Sequence, residues 1–289
     1  LRSSGLAFSQ PLTLAVRPHE MTISVAWVRS VGKSEELVFA SDSRLAFGAR
    51  WDCCPKILAL PRNDAAISFA GDTHYAYPVM LQAIAAVSQH PKLLSRGMDL
   101  GDLRGHLLRV LNDMLSLVHD LPKGEGVDNT PKTDFLFGGW SWRSNQFKIW
   151  LLHFDAQAKK FTFRPASRWR GFNDKKVFAF AGDYKDEYKE RLIALLRGKN
   201  AIERGGFDME PVEVLRDMLR DRKLDLIGGA PQVMKVYKYS SCRPYAVFWP
   251  TRDSKQVNLL GRPLMDYEKS EYFVLDTDTL ETVRHLDVA

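Results

Sequence analysis

The sequence predicts an α+β fold in which antiparallel sheets are sandwiched between helical layers. Three observations carry that expectation: strands come in groups, helices come in pairs, and the order runs strands, two helices, strands, two helices, strands. A doubly wound α/β fold needs strict alternation of strand and helix, which is absent. With 289 residues, 45% of them hydrophobic, the chain can bury the core of one large domain.

The elements follow in order. Residues 1–20, LRSSGLAFSQPLTLAVRPHE, hold a short apolar patch that Gln10 and Pro11 interrupt, with no small-residue cleavage pattern after it. The chain opens on Leu1 and Met21 has the character of a true start, so residues 1–21 read as a propeptide, a cloning remnant or a non-native extension, and 22–289 as the domain. From Thr22, Ile23, Val25 and Trp27 alternate with Ser24, Ala26 and Val28; SVGKSEE turns the chain and LVFASDS returns it, an antiparallel hairpin. KILALP and AAISFAGD repeat the pattern around the turn signal RND.

The period then changes. THYAYPVMLQAIAAVSQ and DLGDLRGHLLRVLNDMLSLVHDL space their apolar residues by three and four, and the second opens with acidic residues suited to a helix N-terminus. A polar loop, PKGEGVDNTPKT, leads to strands DFLFGGWS, FKIWLLHFD, KKFTFRPA and KVFAFAGD. A second helix pair, DEYKERLIALLRG and EPVEVLRDMLRDRK, precedes the strands QVMKVYKYS, PYAVFWP and EYFVLD. Asp72 and Asp183, each closing an FAGD, are suited to cap the helices that follow.

Several function classes are excluded. The net charge of +6 is spread along the chain. The one basic stretch with aromatics, RPASRWRGF at Arg164 to Phe172, is too short for a nucleic-acid stripe. No apolar run approaches the ~20 residues that span a bilayer. No GxGxxG or GxxxxGK loop is present, which disfavours nucleotide chemistry. Cys53 and Cys54 are adjacent and Cys242 is distant, neither a disulfide framework nor a zinc spacing, so a reducing cytoplasm is the expected compartment. His74, His106, His119 and His153 are scattered, and no metal or cofactor is expected.

Chemistry gathers at the strand ends of the first sheet. Thr22 begins one strand, Asp42 ends the next in ASDSR, Lys56 begins another in PKIL, and Gly71 ends a fourth in FAGD. A hydroxyl beside an ammonium and a carboxylate is a nucleophile once something takes its proton. If Thr22 is the first residue of the mature chain, its α-amine, with an ordinary pKa of roughly 7.7–8.0, is that base.

The pattern T-x-S-V-A, LVFASDSR, K-I-L and FAGD, from Thr22 to about Asp72, resembles the amino-terminal half of a proteasome β-subunit in the N-terminal nucleophile hydrolase superfamily. Within it, LVFASDSR is most similar to the bacterial proteasome-like Anbu proteins, with the HslV peptidase a more distant relative. Beyond Asp72 the resemblance rests on element order, on FLFGGW, and on the double glycine Gly228 and Gly229.

The resemblance implies a four-layer αββα sandwich and a threonine-type peptidase or amidase acting through an acyl-enzyme. It further implies a self-compartmentalising homo-oligomer, ring or spiral, acting on peptide or unfolded protein, with an unfoldase partner left open. It assigns Thr22 as nucleophile, Asp42 as orienter of the lysine, Lys56 as the cation favouring the alkoxide, and the Gly71 amide as oxyanion donor. Phe69, Thr73 and Leu45 take substrate binding, and Ser43, Thr133 and Asp225 support. A silent assembly subunit and a small-molecule amidase of the same superfamily are the alternatives.

The sequence departs from the family in three places. A serine near KTDFLFGG is missing, with Thr130 or Thr133 as replacement. Leu224, Asp225, Leu226 and Ile227 stand before Gly228 where the family has an aspartate and a serine. Residue 21 is methionine where self-processing members have glycine.

Overall fold

The structure, a computed structural model, describes residues 22–47, 49–119, 130–168, 177–203, 206–239, 241–270 and 273–284. The upstream segment 1–21, most of the PKGEGVDNTPKT loop and the basic stretch from 169 onward lie outside them.

The first half holds β1 (Ile23–Val31), β2 (Ser34–Ser41), β3 (Leu45–Phe47), β4 (Ala49–Trp51), β5 (Ile57–Ala59), β6 (Ala65–Gly71), α1 (Thr73–Ser88), α2 (Pro91–Leu94) and α3 (Leu100–Leu115). Then come β7 (Thr133–Ser141), β8 (Gln146–Asp155), β9 (Lys160–Pro165), β10 (Ser167–Arg168), β11 (Val177–Gly182), α4 (Lys185–Gly198) and α5 (Glu210–Arg220). The end is β12 (Gln232–Tyr237), β13 (Ser241–Phe248), β14 (Val257–Leu259), β15 (Arg262–Pro263), β16 (Phe273–Leu275) and β17 (Thr282–Arg284).

Two sheets dominate this α+β fold. One runs β10-β11-β1-β2-β12-β13-β14-β15, with β16 joined to β13 and β17 to β16; the other runs β5-β6-β7-β8-β9. Their pairings are antiparallel except β13 with β16, which is parallel. The β1–β2 hairpin closes through Gly32 at φ +60°, the backbone region a two-residue turn favours and glycine reaches without strain.

The alternation along β1 decides which residues meet which layer, because successive side chains point to opposite faces. Ile23, Val25 and Trp27 join Tyr188, Leu192 and Leu196 of α4 and Val212, Leu215 and Met218 of α5. Ala26 and Val28, with Leu37 and Phe39 of β2, pack on Ala66, Leu136 and Ile149 of the other sheet. The far face of that sheet, Ile67, Phe135, Phe137 and Leu152, packs on Met80 of α1 and Leu103, Leu107 and Leu111 of α3. Each of these large side chains is fully buried or nearly so, and burial of one is worth ~1.5–3 kcal/mol.

Helix starts follow local chemistry. The Asp72 carboxylate accepts the His74 N–H at 2.8 Å and caps α1 as expected. Asp183 does not cap α4; Tyr184 takes that place in the left-handed region at φ +57°. The Asp102 carboxylate accepts the Asp99 N–H at 3.0 Å at the start of α3. The short α2 and the strands β14, β15 and β17 are elements the periodicity does not reveal; EYFVLD appears as the short β16.

Candidate active site

Thr22 stands immediately before β1, which runs between β11 and β2, so its surroundings are fixed from both sides. Its carbonyl accepts the Asp183 N–H at 3.2 Å. Gly182, at φ +106°, comes so near that a Cβ there would lie 1.8 Å from the Thr22 carbonyl oxygen. Only glycine meets both conditions.

Asp42 follows β2 and is locked to the start of β1. Its N–H donates to the Ile23 carbonyl at 3.2 Å, and its Oδ1 accepts the Ile23 N–H at 3.2 Å. Lys56, just ahead of β5, reaches both: its Nζ donates to Asp42 Oδ1 at 2.8 Å and to Thr22 Oγ1 at 3.3 Å. Asp42 and Lys56 are fully buried and Thr22 is 3% exposed. The other Asp42 oxygen accepts the Arg44 N–H at 3.1 Å and the Gly228 N–H at 3.4 Å. Donors on both oxygens are what an ionised carboxylate takes. Complete burial nonetheless pushes the Asp42 carboxyl above its ordinary range, against the pull of the Lys56 ammonium and of the Ile23 and Gly228 amides.

The double glycine is needed by what packs on it. A Cβ on Gly228 would lie 2.5 Å from the guanidinium carbon of Arg44, and one on Gly229, at φ +72°, 2.2 Å from Ser43 Oγ. Arg44 is held there by a fork onto Asp52, at 2.6 and 2.7 Å, and by the Ile227 carbonyl at 3.1 Å. Ser43 donates to the Ala230 carbonyl at 2.8 Å, which ties the Asp42 turn to the chain entering β12.

Gln232 completes the scaffold and was not among the residues expected there. Fully buried, it accepts the Lys56 N–H at 2.9 Å and donates to the Cys54 carbonyl at 2.7 Å and the Asp42 carbonyl at 3.2 Å. The only sequence signal is a lone amide side chain at the head of the apolar strand QVMKVY, just after the double glycine.

The remaining expected residues are placed as follows. Gly71 sits at the end of β6 at φ +103°, where a Cβ would lie 2.0 Å from the Lys132 carbonyl oxygen, so its backbone approach is closed to any side chain. Phe69 is fully buried with its ring 5.3 Å from that of Tyr77, within the cluster packed on α1 and α3. Leu45 packs against the same cluster, and Thr73 opens α1. The strand's alternation separates Phe69 from Ser68, which faces the other sheet and shares a 2.7 Å hydroxyl contact with Ser24.

Two supporting residues have partners of their own. Thr133 donates its hydroxyl to the Asp72 carbonyl at 2.7 Å, and the exposed Asp225 pairs with Arg50 at 3.3 Å.

Comparisons with known proteins bear on the fold. No family model matches the sequence, and no curated protein does. Among solved structures, the chain is similar to Anbu from Hyphomicrobium sp. strain MC1, at a TM-score of 0.50 and 14% identity. The match covers 77% of this chain and 87% of that one. A likeness at this identity relates the two folds, the same relation that the Thr22 to Asp72 motif implies. Among the described residues no helix is long and apolar enough to cross a membrane.

Proposed function

We propose that this chain is a threonine-type N-terminal nucleophile hydrolase, built on a four-layer αββα sandwich spanning 22–289, that cleaves amide bonds through an acyl-enzyme. One observation carries the reading: a buried Lys56 ammonium lies 3.3 Å from the Thr22 hydroxyl and 2.8 Å from Asp42. The geometry supports the following roles. Thr22 Oγ1 attacks the amide carbon while the α-amine of Thr22, as first residue of the mature chain, takes its proton. Lys56 favours the developing alkoxide, and Asp42 keeps Lys56 charged and aimed. The Gly71 N–H receives the oxyanion, a donor whose loss typically costs ~10²–10³ in rate. The departing amine carries off the proton, and water then releases the acyl group from Thr22. Peptide or unfolded protein is the substrate class, and a homo-oligomer in the bacterial cytoplasm the setting. The test is intact mass before and after a peptide epoxyketone or β-lactone. A chain beginning at Thr22 that gains one inhibitor mass supports the reading; a chain retaining earlier residues and gaining nothing overturns it.

A second reading, a silent assembly subunit of the same fold, is favoured by the exposed Asp225 being paired with Arg50 at the surface. An inhibitor adduct on Thr22 removes it.

A further inference from the structure

A pair of thiols stands just ahead of Lys56. Cys53 is exposed and Cys54 half-buried. The two thiols are sequence neighbours, one peptide apart, and the Tyr77 hydroxyl donates to the Pro55 carbonyl just beyond them at 2.9 Å. The peptide joining them belongs to the site's scaffold: its N–H, that of Cys54, donates to the Ser43 carbonyl at 3.1 Å. The Cys54 carbonyl accepts Gln232 Nε2 at 2.7 Å, and Gln232 in turn holds the Lys56 backbone at 2.9 Å.

We propose that Cys53 and Cys54 are a reversible redox site for hydroperoxides, closing to a vicinal disulfide that loosens the Gln232 clamp behind Lys56. The exposed Cys53 thiolate attacks a peroxide oxygen; the O–O bond breaks, hydroxide departs and takes a proton as water, and Cys53 becomes a sulfenic acid. The Cys54 sulfur then displaces the sulfenic oxygen, which leaves as a second water, and the S–S bond forms. Two thiols and one hydrogen peroxide become one disulfide and two waters; the sulfurs lose two electrons and the peroxide gains them.

The roles are unequal for a physical reason. Burial and the neighbouring Cys53 push the Cys54 thiol up, which leaves Cys53 to attack first. Cys242 stays out of the exchange, its thiol pushed up to about 12 by burial.

Ring closure has a structural cost at this place. Sequence neighbours have Cα atoms ~3.8 Å apart, below the ~4.4–6.8 Å of ordinary disulfides. Ring closure therefore changes the backbone torsions at both cysteines: the shared peptide turns, drawing the Cys54 N–H from Ser43, and the torsion at Cys54 carries along that residue's own carbonyl, which Gln232 holds. Any effect on turnover rests on the hydrolase reading; the redox site itself does not.

The test uses the intact chain and Cys53→Ser, each treated with hydrogen peroxide and then a maleimide, followed by peptide masses and thermal unfolding. The expected result in the parent chain is a loss of two hydrogens on the peptide carrying both cysteines. Two thiols are lost to alkylation, the thermal midpoint falls by roughly 2–4 °C, and dithiothreitol reverses all three; Cys53→Ser shows none of them. An unchanged thiol count, a sulfinic acid on Cys53 beside an alkylatable Cys54, or a disulfide with an unmoved midpoint overturns the proposal. Since no substrate is used, a chain that hydrolyses nothing leaves this result standing.

Discussion

Gln232, at the head of β12, accepts the backbone N–H of Lys56 at 2.9 Å while its amide nitrogen holds the carbonyls of Cys54 and Asp42. One side chain thus joins Lys56, which reaches the Thr22 hydroxyl, to Asp42, which pairs with Lys56. Gln232→Leu removes a hydrogen bond from three backbone groups, two of them buried and the Cys54 carbonyl half-buried, and an unsatisfied buried group costs ~1–3 kcal/mol. We expect a lower urea midpoint and, under the proposed function, slower inhibitor labelling of Thr22 than in Gln232→Glu, which keeps the acceptor. Equal midpoints for parent and Gln232→Leu would contradict the clamp.

The Asp42–Lys56 pair is fully buried, so halving it leaves one charge exposed to a low-dielectric interior. Lys56→Met is expected to cost ~3–5 kcal/mol. The double variant Lys56→Met with Asp42→Asn should cost less than the two single changes added together, because their effects share one interaction. Denaturant unfolding of the four proteins reads this; strict additivity would show that the pair is not coupled.

Thr22→Ala is expected to abolish amide hydrolysis and inhibitor adducts while folding is retained, whereas Thr22→Ser keeps a hydroxyl and measurable labelling. Turnover in the alanine variant equal to that of the parent would sink the nucleophile.

Gly182→Ala meets two penalties at once: a left-handed backbone at φ +106° and a Cβ 1.8 Å from the Thr22 carbonyl. Strain of ~1–3 kcal/mol and a displaced Thr22 follow. Gly32→Ala, at φ +60° with nothing within 4 Å of a new Cβ, carries backbone strain alone. Calorimetry should therefore show the larger loss at 182.

The acid limb of stability has a specific contributor. The Arg44 guanidinium holds the Asp52 carboxyl below the usual carboxylate range. A depressed folded pKa means the unfolded chain takes the proton first, so the contribution is present above the unfolded value of about 3.9 and disappears as pH falls through the folded one. Asp52→Asn should lower the urea midpoint at pH 6, with the difference closing toward pH 3. A gap that is constant with pH would place the effect in packing.

The hairpin, both helix pairs and the four strand-end residues are legible because each is a local pattern: alternation, a three-to-four spacing, or a polar residue closing an apolar run. Thr22, Asp42 and Lys56 meet because β1, β2 and β5 begin or end at one place, which the motif order already implies. Gln232 is not legible, because β12 pairs with β2 across nearly two hundred intervening residues and no local signal links them. Asp225 shows the converse: its spacing to the double glycine is close to the family's, while its side chain pairs with Arg50 at the surface. The burial of Phe69 follows from the strand period, which turns it toward α1 when Ser68 faces the other sheet.

Because β1 lies inside the larger sheet, flanked by β11 and β2, the beginning of the described chain is held as firmly as the core. The Ile23 amide, bonded to Asp42 in a fully buried residue between β11 and β2, is shielded from solvent. Its deuterium uptake should therefore track unfolding of the entire domain rather than the fraying common at chain ends. Under the proposed function, the Thr22 hydroxyl mounted there keeps its aim for as long as the protein stays folded.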